Sequence, residues 1–227
     1  MDRATVDHLL TTTRSVRKRL DFSRPVEPTI IERCIEIAIQ APTGGNTQGW
    51  HFMVITDAQK RLQIGELYKK SWQLYIGERS QPMEGQTRNP NQMRRVGDSA
   101  RYLPDHIHEA PVLIIPCVEG RYETQPAWLQ ASLYGSILPA TWSLMLALRS
   151  RGLGSAWTTL HIRYEQEVAT ILDIPANVTQ AALLPAAYYL GEDFKPADRM
   201  PAREFTYWDT WGIANRGQND ADNNSRT

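Results

Sequence analysis

The sequence has no net charge and little cysteine. Its 227 residues carry 25 Lys and Arg against 25 Asp and Glu. Nucleic-acid binding normally needs a basic face, because clustered lysines and arginines hold the phosphate backbone. A chain without net charge gives no reason to expect such a basic face, so we predict no nucleic-acid partner. A chain of this length fits one large domain.

The two cysteines, Cys34 and Cys117, lie within apolar runs, where an isolated cysteine usually behaves as a small hydrophobic residue. There is no Cys-x-x-Cys motif, and the histidines lack the spacing of zinc ligands. We therefore predict no metal site. The N-terminus lacks the apolar core of a signal peptide, so the expected location is the reducing cytoplasm.

One uncharged run, residues 124–148, is as long as a membrane span, which needs about 20 apolar residues. Glutamine, serine and threonine are spread along it, and no basic cluster flanks its start. A membrane helix is one interpretation. We favour a central helix wrapped by protein on all sides, and expect no membrane partner.

Helical and strand patterns alternate along the rest of the chain, which predicts an α+β protein with more helix than strand. The predicted helices cover about 5–12, 28–42, 58–76, the run 124–148 and 164–172, and the predicted strands about 50–56, 110–118 and 180–191. The aromatic segment with Trp208 and Trp211 is expected to pack along a neighbour. Residues 213–227 are expected to be a disordered tail.

Residues 77–105 are rich in Gln, Asn, Pro, Arg and Gly and contain few large apolar side chains. This composition is typical of a loop, and a loop beyond about 15 residues is often a lid or a binding loop. We predict a mobile flap here, with a plain surface insertion as the alternative.

Two short stretches could carry binding chemistry. The first, "RSVRKRL", places four basic residues close together: Arg14, Arg17, Lys18 and Arg19. The second, "APTGGNTQGW" at residues 41–50, combines glycines that allow close backbone approach with amide side chains. It could hold the edge of a flat heterocycle, or simply be a polar turn between helix and strand.

Taken together, "RSVRKRL", "RPVEP" and "APTGGNTQGW" resemble the opening of the nitroreductase superfamily of FMN-dependent flavoproteins. Further matches follow in order: "APVLIIPCV", "RGLGSAWTTL", "LDIPANVTQAALLPAAYYLG" and "RMPAREFTYWDTWG". The resemblance covers about residues 13–212, and we expect residues 1–212 to form a single nitroreductase-like FMN-binding domain. It implies a nitroreductase-like fold: a central, mixed but mostly antiparallel sheet flanked by helices, with an extended C-terminal arm, in a domain-swapped homodimer.

The resemblance also implies a cofactor site. The residues that match phosphate ligands are Arg14, Ser15, Arg17 and Arg199. Those that match the lining of the flavin ring, reaching it from the partner subunit, are Pro42, Thr43, Gly44 and Asn46. Those that match the segment beside flavin N5 and O4 are Trp157, Thr158 and Thr159. Guanidinium groups suit phosphate because their forked donors engage two oxygens. Thr13 and Ala197 depart from the pattern, standing where an arginine and, in some members, a lysine occur. Lys18 and Arg19 match no ligand position and are predicted to be solvated.

The implied activity is ping-pong hydride transfer from NADH or NADPH, through flavin N5, to an electron-poor acceptor such as a nitroaromatic or quinone. No catalytic side chain is then needed. Tyr68, Trp72 and Tyr75 are candidates for stacking on the acceptor, or core residues at helical spacing. Two alternatives remain: a reductive dehalogenase of the iodotyrosine deiodinase type, and a protein that holds or sequesters FMN without turnover.

Overall fold

The structure is a computed structural model that describes residues 2–78 and 90–212. The described chain divides into a first unit that ends at Phe194 and a second unit that starts at Lys195. The predicted domain boundaries stay a prediction, and the tail at 213–227 lies outside the described residues.

The first unit is built on a five-stranded sheet whose ladders are all antiparallel. The strands are β1 (Trp50–Ile55), β2 (Val112–Glu119), β3 (Leu153–Ser155), β4 (Val178–Gln180) and β5 (Leu184–Tyr188). The order is β1-β2-β5-β3, and β4 also pairs with β2. In this order β1 and β3 lie at opposite edges. The predicted α+β, mostly antiparallel fold is confirmed.

The α-helices of the described residues are α1 (Arg3–Thr12), α2 (Pro28–Ala38), α3 (Ala58–Glu78), α4 (Pro90–His106), α5 (Ala127–Arg149) and α6 (Glu165–Leu172). Pro28 stands at the first position of α2, where its missing N–H costs no hydrogen bond. The carboxylate of Asp2 caps α1 by accepting from the N–H groups of Ala4 and Thr5.

Helices cover both faces of the sheet, which explains why β2 is apolar at successive positions. Val112 and Ile114 pack with residues of α2 and α5, whereas Leu113 and Ile115 pack with residues of α3 and α6. A strand buried on both faces has no solvent side, so it loses the usual alternation of polar and apolar residues. Cys34 and Cys117 lie in these two cores, as predicted, and burial raises the pKa of the Cys117 thiol to about 12.

Two helices differ from the sequence prediction. Much of the predicted flap is the regular helix α4, whose Leu103 is buried against the core although Pro104 lies inside the helix. Residues 79–89 of the predicted flap lie outside the described residues. Helix α5 is not wrapped on all sides within the chain, because Trp128, Tyr134 and Trp142 are exposed.

Among residues 2–78 and 90–212, α5 is the one helix long and apolar enough to cross a membrane. Half of its most apolar stretch is buried inside the protein. A single helix of this kind is weak support for a membrane span, since helices in protein cores meet the same criterion.

In the second unit, Ala202–Phe205 form a short 3₁₀ turn, and the rings of Tyr207 and Trp211 lie 4.6 Å apart between centroids. The side chain of Trp211 is 86% exposed and that of Phe205 is 66% exposed. The expectation that this aromatic segment covers a neighbouring surface stays a prediction.

Candidate functional site

The basic stretch runs along the edge of the sheet at β3. The N–H of Val16 donates to the Ser155 carbonyl at 2.9 Å, and Ser15 pairs with Ser155 in a parallel bridge. The side chain of Val16 is buried against Gly154, whereas Arg14 and Ser15 are exposed. Anchoring through Val16 therefore leaves Arg14 and Ser15 at the surface beside β3.

Arg17 is half-buried, and burial lowers the pKa of its guanidinium while the neighbouring Tyr68 acts in the opposite direction. Within the part of the chain that the structure describes, no carboxylate pairs with Arg17. A partly desolvated cation is costly without a counter-charge. The position of Arg17 thus suits an anionic ligand such as a phosphate.

The other two basic residues of the stretch differ from each other. Lys18 is exposed, as predicted. Arg19 is not simply solvated: its Nε donates to the Leu190 carbonyl at 2.6 Å, its Nη2 bonds the Glu192 carbonyl, and its guanidinium lies 4.2 Å from the centroid of the Phe194 ring. Arg19 therefore fastens the end of the first unit to the basic stretch, which is a structural role that the sequence did not indicate.

The segment Trp157–Thr159 lies one residue, Ala156, beyond the end of β3. The N–H of Thr158 donates to the Leu183 carbonyl at 3.1 Å, and the Leu183 N–H donates back to the Thr158 carbonyl at 2.8 Å. The hydroxyl of Thr158 lies 2.9 Å from the hydroxyl of Tyr68. Because Tyr68 also neighbours Arg17, it joins the predicted phosphate ligands to the predicted ring segment. Tyr68 is only 3% exposed, so it is a core residue and not a stacking platform.

The glycine-rich loop is anchored on α5. The N–H of Gly44 donates to Ser136 Oγ at 2.9 Å, and the Ser136 hydroxyl donates to the Ser132 carbonyl at 2.8 Å. Gly45, Asn46 and Gln48 all have positive φ, near 55°, which is uncommon for residues other than glycine. The loop is thus held in a fixed, exposed conformation in which Gly44 and Asn46 are open to a ligand.

The predicted site residues fall into two groups at opposite edges of the sheet. In the strand register, Trp50 pairs with Val118 of β2. Ser155 of β3 pairs with Ala186 of β5, which in turn pairs with Val112 of β2. The path from β1 to β3 crosses three strand spacings of about 4.8 Å, and Val118 and Val112 are six residues of about 3.4 Å apart along β2. The start of β1 therefore lies about 25 Å from Ser155. One chain therefore brings Ser15, Arg17 and Trp157–Thr159 together at β3, whereas residues 42–46 lead into β1 and are anchored on α5.

A cavity of about 400 Å³ adjoins the first group and is lined by Thr159, Ser71, Arg163 and two apolar residues of the turn after Thr159. The guanidinium of Arg163, which lines this cavity, donates to both carboxylate oxygens of Glu78, at 2.9 and 2.8 Å. A larger groove of about 490 Å³ between α3 and α6 contains no predicted site residue. Its position argues against a role in cofactor binding.

His161 is a buried group that sequence reasoning missed. It is fully buried, both ring nitrogens are without a hydrogen-bond partner among the described residues, and burial lowers its pKa to about 3. No group of His, Cys, Asp and Glu in the described ranges could hold a metal ion. A single histidine within an apolar sequence pattern gives no signal that distinguishes a buried neutral ring from an exposed one.

The model of the Nitroreductase family matches residues 10–188, which include both groups of predicted site residues except Arg199. The chain belongs to the nitroreductase family. Arg199 of this family member lies in the second unit, so its part in the site stays a prediction.

Relatives of this nitroreductase-family chain carry different names. It is 26% identical, over 84% of its length and 89% of the other, to an Archaeoglobus fulgidus protein named NADH dehydrogenase/NAD(P)H nitroreductase. It is 25% identical, over 81% and 87%, to the iodotyrosine deiodinase of Thermotoga neapolitana. The solved structure of oxidized iodotyrosine deiodinase bound to FMN and 3-iodo-L-tyrosine has the same fold, with a TM-score of 0.65 at 22% identity over 85% and 93% of the chains.

Proposed function

We propose that this protein is an FMN-dependent oxidoreductase that acts as a homodimer. The observation that carries the proposal is the half-buried guanidinium of Arg17, which has no acidic partner among the described residues and neighbours Tyr68, whose hydroxyl lies 2.9 Å from that of Thr158. A phosphate group would supply the missing negative charge and accept two bonds from the guanidinium fork.

The residues fit FMN in two sets. Arg14, Ser15 and Arg17 would hold the phosphate, and Trp157–Thr159 would border the ring. When bound, FMN would supply the redox chemistry by accepting hydride at N5 from NADH or NADPH and passing it to an electron-poor acceptor such as a nitroaromatic or quinone. The protein's part is to bind, orient and cover the reacting groups, so it needs no nucleophile or acid–base pair.

The homodimer follows from the distance between the two groups of site residues. Pro42, Thr43, Gly44 and Asn46 match the family's ring-contacting loop, yet they precede β1, whose start lies about 25 Å from Ser155 across the sheet. A second chain could bring its own loop to the β3 edge. The exposed aromatic side chains of α5 support such a partner, because large apolar side chains left in water often mark an interface.

The test is spectroscopic. We expect the purified protein to be dimeric and yellow, to lose its flavin absorbance when NADH or NADPH is added without oxygen, and to regain it when a nitroarene or quinone follows. Arg17→Ala, purified in parallel, should be mostly colourless. Yellow protein that NADH and NADPH cannot bleach would instead support a protein that holds FMN without turnover. Monomeric protein that binds no FMN at saturation would end the proposal.

Reductive dehalogenation is the second candidate, and it is favoured by the deiodinase relatives. In the same assay 3-iodotyrosine replaces the nitroarene, with dithionite as reductant, and iodide release is measured. Iodide release without nitroarene turnover would assign the protein to the deiodinase type. Nitroarene turnover without iodide release would support the first proposal.

A further inference from the structure

Thr158 and Thr159 are adjacent and cannot be distinguished from the sequence, but they differ in their hydrogen bonds. The N–H, the carbonyl and the hydroxyl of Thr158 are all engaged by Leu183 and Tyr68. The carbonyl of Thr159 accepts from the Ile162 N–H at 3.0 Å, but its exposed side chain does not cap the 3₁₀ turn that it precedes. No described residue bonds its hydroxyl. Thr159 thus has an uncommitted hydroxyl at the surface, whereas the Thr158 hydroxyl is paired with that of Tyr68.

Tyr68 accounts for this difference between the two threonines, because its hydroxyl pairs with that of Thr158. It lies on α3, is 3% exposed, and packs in the same cluster as Leu103 and Ile107. Burial raises the pKa of its phenol, so the group stays neutral and can both donate and accept a hydrogen bond at neutral pH. A phenylalanine would fill the same space but could not bind the Thr158 hydroxyl.

We infer that Tyr68 is a positioning residue: by holding the Thr158 hydroxyl in the core, it sets the segment so that the Thr159 hydroxyl is presented to the flavin. The inference rests on the proposed FMN site, and it deepens that site by naming the donor and the residue that aims it. Tyr68 itself touches neither cofactor nor acceptor.

The experiment measures the two-electron midpoint potential of the bound flavin in variants of the full-length, FMN-loaded protein. Thr159→Val keeps the branched shape and removes the donor. It should lower the equilibrium constant for reduction of the bound flavin about tenfold, which corresponds to a fall of about 30 mV in the midpoint potential of a two-electron couple. Tyr68→Phe and Thr158→Val break the same bond from its two ends, so each should lower the potential by a similar, smaller amount.

A double-mutant cycle isolates the positioning role. Adding Tyr68→Phe to Thr159→Val, or to Thr158→Val, should produce no further shift. Tyr122→Phe is the matched control, because Tyr122 packs in a separate cluster with Leu133 and Ile137 and should leave the potential unchanged. Thermal melts and FMN titrations of each variant separate loss of folding or binding from a change in potential. If Tyr68→Phe does not fold, Thr158→Val carries the same test.

Two results would overturn the inference. A wild-type potential in both Tyr68→Phe and Thr158→Val would mean that the bond positions nothing. A shift in Thr158→Val with none in Thr159→Val would make Thr158 the donor. Failure of the wild-type protein to bind FMN is a different outcome, since it would reject the proposed function before any potential is measured.

Discussion

A methyl group on Gly154 would lie 2.9 Å from the Cβ of Val16, closer than side-chain carbons approach in folded proteins. The same methyl group would lie 3.1 Å from a terminal carbon of Leu20. The absence of a side chain at Gly154 therefore lets the basic stretch lie directly against β3, and the position of Arg14 and Arg17 depends on it.

Gly154→Ala should push this stretch off the sheet edge. We expect the free energy of unfolding to fall by about 1–3 kcal/mol, the usual cost of overpacking, and FMN affinity to fall with it. Urea denaturation and flavin titration measure the two effects. Gly97→Ala in α4 is the control, since nothing lies within 4 Å of its added methyl group, and it should not destabilise the protein. Wild-type stability in Gly154→Ala would show that the contact is easily relieved.

Arg17→Ala should separate cofactor binding from stability. Removing a charge-assisted phosphate partner costs about 1.5–3 kcal/mol, so we expect FMN affinity to fall tenfold or more, as for Arg14→Ala. The FMN-free variant should be no less stable than FMN-free wild type, because the guanidinium is partly buried without an acidic partner. Lys18→Ala, next in sequence and exposed, should keep its flavin. Unchanged flavin content in both arginine variants would mean that the phosphate site lies elsewhere.

Trp142→Glu tests the interface proposed on α5. The side chain is 40% exposed within the single chain, and a carboxylate buried between two copies would lack a partner. We expect sedimentation to detect monomers and the flavin to be lost with them. Leu62→Glu, at a position 39% exposed on α3, should stay dimeric and yellow. A dimeric Trp142→Glu protein would place the interface on another surface.

His161 should make the protein sensitive to mild acid. Its pKa is about 3 in the folded chain and 6.5 ordinarily, so between these values the unfolded state binds a proton that the folded state excludes. The free energy of unfolding contributed by neutral His161 is fully present above pH 6.5 and falls by up to about 1.4 kcal/mol per unit below it. Denaturation of FMN-free protein from pH 7.5 to 4.5 should reveal this slope. His161→Leu should flatten it, and a slope unchanged in His161→Leu would contradict the assignment.

The sequence predicted those parts of the fold that depend on local patterns. Strand β2 followed from an unbroken apolar run, and the start of α2 followed from Pro28. Helix α4 was missed because its composition is polar and contains Pro104. Its apolar residues Val96 and Leu103 nevertheless lie seven residues apart, which is about two helical turns. Two apolar positions are a weak signal beside the turn-forming residues on which the loop prediction rests.

The parts of the candidate site that the sequence could not predict depend on distant pairings. Tyr68 and Thr158 are separated by 90 residues, and no local pattern indicates that their hydroxyls meet. Arg19 was predicted to be solvated, but its partners lie 171 and 173 residues further along the chain. Family resemblance named the residues of the site, whereas the hydrogen bonds distinguish those that face a ligand from those that hold the scaffold.

The separation of the glycine-rich loop from the β3 edge has a consequence for how the protein behaves on dilution. If each flavin is enclosed by two copies, its retention depends on subunit concentration as well as on free FMN. Extracts diluted below the dissociation constant of the dimer would then lose both colour and activity, and activity measured at very low enzyme concentration would underestimate the turnover of the assembled form.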